Sequence, residues 1–238
     1  MSEHAAPGRP SELVREVWCP SRTRCWQRAT ISGSEGDRLT LRLCETGELV
    51  PRVDAASLCD VDASHDEDLG DAAEMNSLHE GPLLHLLRRR LEERRAIYTW
   101  AGAVLISVNP YADVPLYGSE SLLRAEAEAP GRAEPHIYAV ARRALLALLG
   151  QPAADADADV IDARAVATGG SHALVISGES GAGKTEASKR AIEYLAFASL
   201  ASRGGESRDS AGCSVEEHVS LTIPVLEAFG NAKTIRNN

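Results

Sequence analysis

A chain of 238 residues with 44% apolar residues can bury the core of one medium domain or two small ones. Aromatics are only 4%, so that core is expected to rest on Leu, Val, Ile and Ala. The formal net charge of -10 argues against nucleic acid as the main partner, since a phosphate backbone demands clustered Lys and Arg, yet local backbone dipoles can still hold one phosphate ligand. The five cysteines, Cys19, Cys25, Cys44, Cys59 and Cys213, are irregularly spaced and form no CxxC, which argues against a disulfide framework or a zinc site. That usage suits a reducing compartment. The N-terminal MSEHAAPGRP has no signal-type apolar run, and AVLISV and ALLALL are too short to span a bilayer. A soluble, cytoplasmic chain with no membrane span is expected.

Residues 1–12 are polar and read as a disordered tail. Residues 13–60 carry RATIS (28–32), LTLRL (39–43) and LVPRV (49–53), separated by GSEGD and ETGE. Alternation broken by glycine-containing turns predicts antiparallel strands in a small β-barrel or sheet module. Residues 61–74 are acidic and poor in large apolar groups, as in a linker. The remaining span, 75–238, is read as a single α/β unit.

Within it, a helix is predicted near Gly81–Arg95, with Leu83, Leu84, Leu87 and Leu91 on one face. The basic run Arg88–Arg95 would be its solvated side. AVLISV (103–108) predicts a short buried strand ending at Asn109-Pro110, and HIYAVARRALLALLG (136–150) a helix closed by Gly150. Residues 151–170 and 202–212 read as surface loops. The aspartates of the first lack the glycine and terminal glutamate of an EF-hand.

HALVISGESGAGKTEASKRAIEYL (172–195) is the most informative segment. An apolar β-branched run, read as a central parallel strand, leads into a complete G-x-x-x-x-G-K-[ST] pattern, Gly178 to Thr185. An amphipathic stretch follows, with Ala187, Ala191, Leu195 and Ala198 at helical spacing. Each residue type has a physical reason. Gly178, Gly181 and Gly183 let the backbone curl close to a phosphate, and inward amides form an anion nest with Glu179, Ser180 and Ala182 completing the loop. Lys184 would reach the β- and γ-phosphates, and the Thr185 hydroxyl would take Mg²⁺.

A phosphate loop alone does not choose among kinases, GTPases, ATPases and motors. Its neighbours narrow the choice. LVIS-GESGAGKTE closely resembles the phosphate loop of myosins, and LEAFGNAKTIRNN (226–238) resembles the start of their switch I. NPYADVPLY (109–117) is similar to the myosin loop that contacts adenine, and IYTWAGAVLISVNPY (97–111) and PHIYAVA (135–141) follow in the family's order. Residues 13–60 resemble, more weakly, the small Src-homology-3-type barrel before many myosin motors.

The resemblance implies an α/β fold: part of a P-loop NTPase of myosin motor type with a mixed central sheet, preceded by the barrel module. It implies ATP and Mg²⁺ as ligands and actin filaments as partner through the family's downstream region. By position, Asn109, Pro110 and Tyr117 would border adenine, while Glu186 would join the nucleotide-binding set. Asn231 and Asn237 would face the nucleotide from the switch side, with Lys184 and Asn237 nearest the chemistry. The family's switch I serines and arginine, its second switch, its actin-binding surfaces and its lever lie beyond Asn238. The expectation is therefore a fragment that does not hydrolyse ATP at a motor-like rate. The alternatives are a non-catalytic nucleotide-binding fragment, or another P-loop enzyme such as a nucleotide kinase.

Overall fold

The computed structural model describes residues 15–128, 133–151 and 171–202. The expected tail at 1–12, nearly all of both surface loops, and Asn231 and Asn237 lie outside these residues. The chain divides into two compact units: residues up to Leu69 with Glu74–Arg89, and Gly70–Ala73 with the residues from Arg90 onward.

In the first unit, strands β1 (Glu16–Ser21), β2 (Cys25–Glu35), β3 (Arg38–Leu43), β4 (Leu49–Asp54) and β5 (Cys59–Asp60) form one antiparallel sheet in the order β4-β3-β2-β1-β5. Alternate residues Val17, Cys19, Ala29, Leu41 and Leu43 are buried together on one face, as a period of two requires. The register of β2 against β3 shifts between Ile31 and Gly33, an irregularity of the kind that bends a long strand. The three predicted strands are present. Sequence reasoning missed β1 and β5, because EVWCPS carries a proline and three consecutive buried residues, Val17, Trp18 and Cys19, instead of an alternation.

The acidic segment is not an open linker. Ala63–Asp66 and Ala72–Glu74 are short 3₁₀ turns, and His65 is fully buried. Its Nδ1 accepts from Trp18 Nε1–H at 3.0 Å and from the Asp62 amide at 3.1 Å, so the ring proton sits on Nε2 and donates to Asn76 O at 3.0 Å. Arg28 grips Asp66 with two hydrogen bonds, at 2.9 and 2.7 Å, while its guanidinium lies 5.0 Å over Trp18. Acidic composition hid a polar network that needs those carboxylates.

Helix α1 (Glu80–Arg94) agrees with expectation in extent, but its most buried residues are Gly81, Pro82 and Leu86. Leu83, Leu84, Leu87 and Leu91 are half-buried. Its arginines are not simply solvated: Arg88 donates to Arg24 O, Arg89 to Asp66 O, and Arg90 to Thr99 Oγ1 and Tyr98 O. They serve as backbone clasps, so the predicted solvated face is corrected.

Burial holds His79 and His85 below the usual 6.5, with His65 also lowering His79 and Arg28 and Arg89 lowering His85, against Glu80 and Asp66. The unfolded chain therefore binds protons more readily than the folded unit. Stability from this source is full above 6.5 and is lost as pH falls below it. The melting temperature of the first unit is expected to drop between about pH 7.5 and about pH 5, with His85→Gln flattening the slope. A melting temperature that stays level over that range would contradict the histidine packing.

In the second unit, β6 (Tyr98–Ala101) and β7 (Val104–Ser107) pair antiparallel, and Asp71 makes one parallel bridge to Trp100. β6 is the buried strand, whereas Val104 of the predicted buried run is 63% exposed. Helices α2 (Ser119–Ala127), α3 (Ile137–Leu148) and α4 (Lys184–Ser202) complete the unit. α3 matches its prediction, with His136 as N-cap and Gly150 in the left-handed region at φ 70°. α2 was not foreseen. The expected apolar face of α4 is present, since Ala191 and Ala198 are buried and Ala187 and Leu195 pack on the same core. The expectation of an aliphatic core fails here: Tyr138 and Tyr194, each 0% exposed, sit at its centre and stack at 6.0 Å. Alanines on α3 and α4 leave room for these two rings.

The predicted central parallel strand ALVIS (173–177) joins no ladder among the described residues. Burial over 172–177 nonetheless alternates, with His172, Leu174 and Ile176 turned inward and Val175 88% exposed. The segment has a strand's periodicity without strand neighbours. A mixed central sheet is accordingly not laid out among the described residues.

Candidate nucleotide site

The phosphate-loop residues run from the end of that extended segment into the first turn of α4. Gly181 and Gly183 take φ of 81° and 95°, a region β-carbons disfavour. A Cβ on Gly178 would stand 3.0 Å from the Cβ of Ala182, so the loop closes tightly on itself. The Ala182 amide donates to Glu179 O at 3.1 Å, and the Ala187 amide to Gly183 O at 2.9 Å begins the helix. The loop is thus wrapped, neither helical nor extended. Lys184 Nζ donates to Gly178 O and Glu179 O, both at 2.9 Å, which ties the ammonium across the loop's mouth. Thr185 is exposed one residue on.

Beside the loop lies a cleft of about 160 Å³. Asn109, Pro110 and Tyr117 line one side, and Ala182, Gly183, Glu186 and Arg190 the other. Asn109, Pro110 and Tyr117 thus share one hollow with Ala182, Gly183 and Glu186, more than sixty positions further on and singled out separately. Asn109 Nδ2 donates to Gly181 O at 2.7 Å, joining the two walls directly. Gly178, Glu179 and Ser180 are exposed on the loop and outside this cleft's lining.

Sequence reasoning missed three supports. Arg190 lies 4.1 Å over the Tyr117 ring and donates to Glu186 at 2.8 Å and Glu193 at 3.1 Å. The i,i+4 spacing of Glu186 and Arg190 was the available signal. Tyr98 and Tyr117 hydroxyls meet at 2.8 Å, and burial, reinforced by that bond, pushes the Tyr98 phenol well up. His136 Nδ1 accepts from the Tyr138 amide, leaving Nε2–H to donate to Leu116 O at 3.1 Å. Burial lowers its pKa despite that bond and nearby Glu134 and Glu193. The ring therefore anchors the chain next to Tyr117 in its neutral form. No group of three or more His, Cys, Asp or Glu among the described residues could hold a metal by itself.

Comparison with known proteins places these features in a family. The description "Myosin head (motor domain)" matches residues 69–238. Unconventional myosin-Vb of Mus musculus is 34% identical over 229 residues, covering 93% of this chain and 11% of that protein. Myosin-7 of Arabidopsis thaliana is 41% identical over 169 residues, covering 71% of this chain and 8% of that protein. Myosin-8 of the same plant is 34% identical over 224 residues, with 93% and 13% covered. The chain belongs to the myosin head (motor domain) family. It spans roughly a tenth of the length of these relatives, so the match concerns a small share of each. No helix among the described residues is long and apolar enough to cross a membrane.

Proposed function

We propose that this chain is the ATP-binding N-terminal portion of an actin-based cytoskeletal motor, with residues 75–238 forming part of a P-loop NTPase motor domain and 13–60 a small β-barrel module. The observation that carries this reading is the shared cleft: the loop at Asn109–Tyr117 and the phosphate loop, separately expected to meet adenine and phosphates, lie against each other. Family membership supports the motor assignment over a nucleotide kinase. Actin and a cytoplasmic, cytoskeletal setting follow from the family reading.

In the proposed roles, Asn109, Pro110 and Tyr117 border the base with Glu186 at its edge. The amides of residues 178–185 and the Lys184 ammonium receive the phosphates, since a nest of N–H groups ahead of a 19-residue helix favours anions. The outward Thr185 hydroxyl is an oxygen donor of the kind Mg²⁺ prefers, and the tight glycine cradle leaves the phosphates close to it. The residues present therefore fit Mg²⁺·ATP. The metal, when bound, would neutralise charge on the β- and γ-phosphate oxygens. Asn231 and Asn237 remain assigned to the switch side.

Titration of the chain with a fluorescent ATP analogue, with Mg²⁺ and with EDTA, tests the reading. Saturable binding that tightens with Mg²⁺ is expected, and Thr185→Val should abolish the tightening while keeping the metal-free affinity. An absence of saturable binding by the wild-type chain would end the proposal.

A further inference from the structure

We infer that Asn109 is a positioning residue for the phosphate loop, setting the direction of a loop amide, rather than a reader of the base alone. The inference rests on the nucleotide-site reading above and deepens it. The Asn109 carboxamide is fully oriented by its own turn. Oδ1 accepts from the Tyr111 amide at 2.9 Å across Pro110, whose fixed φ stiffens the turn, and Tyr111 itself takes φ 50°. With the oxygen engaged, the NH₂ end is aimed away from the turn, and it meets Gly181 O at 2.7 Å.

That carbonyl belongs to the peptide joining Gly181 to Ala182. The peptide is planar and trans, so its C=O and N–H point to opposite sides. Holding the oxygen toward Asn109 turns the Ala182 N–H to the opposite side, where it donates to Glu179 O at 3.1 Å and closes the loop on itself. Gly181, at positive φ, is the hinge at one end about which this peptide could otherwise flip. Asn109 removes that freedom from outside the anion hollow. It fixes the wrapped shape of the loop before a phosphate arrives, which lowers the ordering cost of binding.

The consequence separates this role from base recognition. A strut acts on every ligand of the phosphate loop, including one with no base. Calorimetric titration of the 238-residue chain with inorganic pyrophosphate plus Mg²⁺, and in parallel with ATP plus Mg²⁺, reads it directly. Asn109→Ala is expected to weaken pyrophosphate about five- to tenfold for one lost hydrogen bond, and ATP by at least that factor. Asn109→Ser, which keeps an oxygen for the Tyr111 amide but is too short to reach Gly181, should behave alike. It decides the matter if the alanine variant does not fold. Weakening of ATP alone, or no change for either ligand, would overturn the strut. Failure of the underlying site looks different: the wild-type chain would take up no pyrophosphate, or Lys184→Ala would bind it as well as wild type.

Discussion

Lys184→Ala is expected to weaken ATP binding by about 100-fold or more, while leaving the melting temperature almost unchanged. Among the described residues, the Nζ of Lys184 donates to two loop carbonyls, at Gly178 and Glu179. Neither bond supports a buried group, so the folded chain loses little; partly exposed substitutions of this kind typically cost within about 0.5 kcal/mol. Binding is another matter. The ammonium lies across the mouth of the loop, and charge-assisted bonds to phosphate are roughly twice as strong as neutral ones. Losing two of them at about 1.5 kcal/mol each gives the stated factor. Fluorescence titration with differential scanning on the same samples checks both halves. Equal affinity in the variant would detach the lysine from the site.

Tyr138→Ala should destabilise the second unit by about 3–5 kcal/mol, as removal of a fully buried aromatic does. Tyr138 is 0% exposed, stacks on Tyr194 at 6.0 Å and packs on His136 at 4.5 Å. Its hydroxyl donates to Glu193 Oε2 at 2.8 Å, and the same oxygen accepts from Arg190 at 3.1 Å. Burial and the Glu193 contact both push the phenol's pKa well up, so it stays a donor throughout the working range. Tyr138→Phe keeps the ring and drops only the hydrogen bond, which should cost about 1–2 kcal/mol. Because Arg190 also covers Tyr117, the phenylalanine variant is expected to loosen the cleft wall and weaken ATP modestly. Urea unfolding of both variants separates ring from hydroxyl, and equal losses would assign the whole effect to the hydrogen bond.

The loop at 178–185 was legible because phosphate binding, the role proposed for it, demands particular residues at fixed spacing, and short-range backbone geometry then follows. Gly181 and Gly183 adopt the positive φ that their identity permits. α3 was legible for similar reasons, with a capping His136 before an apolar period and Gly150 after it. The strands with clean alternation, β2 to β4, were readable too. What sequence concealed was tertiary. Trp18, buried between Val17 and Cys19, breaks the alternation of β1 because both faces of that strand are covered there. His65 and Asp66 lie in a segment whose charge suggests solvent, yet each is held by a partner distant in sequence, Trp18 and Arg28. Tyr138 and Tyr194 are too few to register in composition, though their size makes them the centre of a core shared with Ile97, Leu122, Ile137 and several alanines. The Asn109–Gly181 bond joins positions 72 apart, and no local pattern announces it.

The most direct test of the nucleotide site is a crystal structure of the chain with Mg²⁺·ADP. The β-phosphate is predicted to lie within hydrogen-bond distance of the amides between Gly181 and Thr185, with Lys184 Nζ on a phosphate oxygen and the base between Tyr117 and the start of α4. Nucleotide bound elsewhere, with the loop empty and its amides turned outward, would contradict the account.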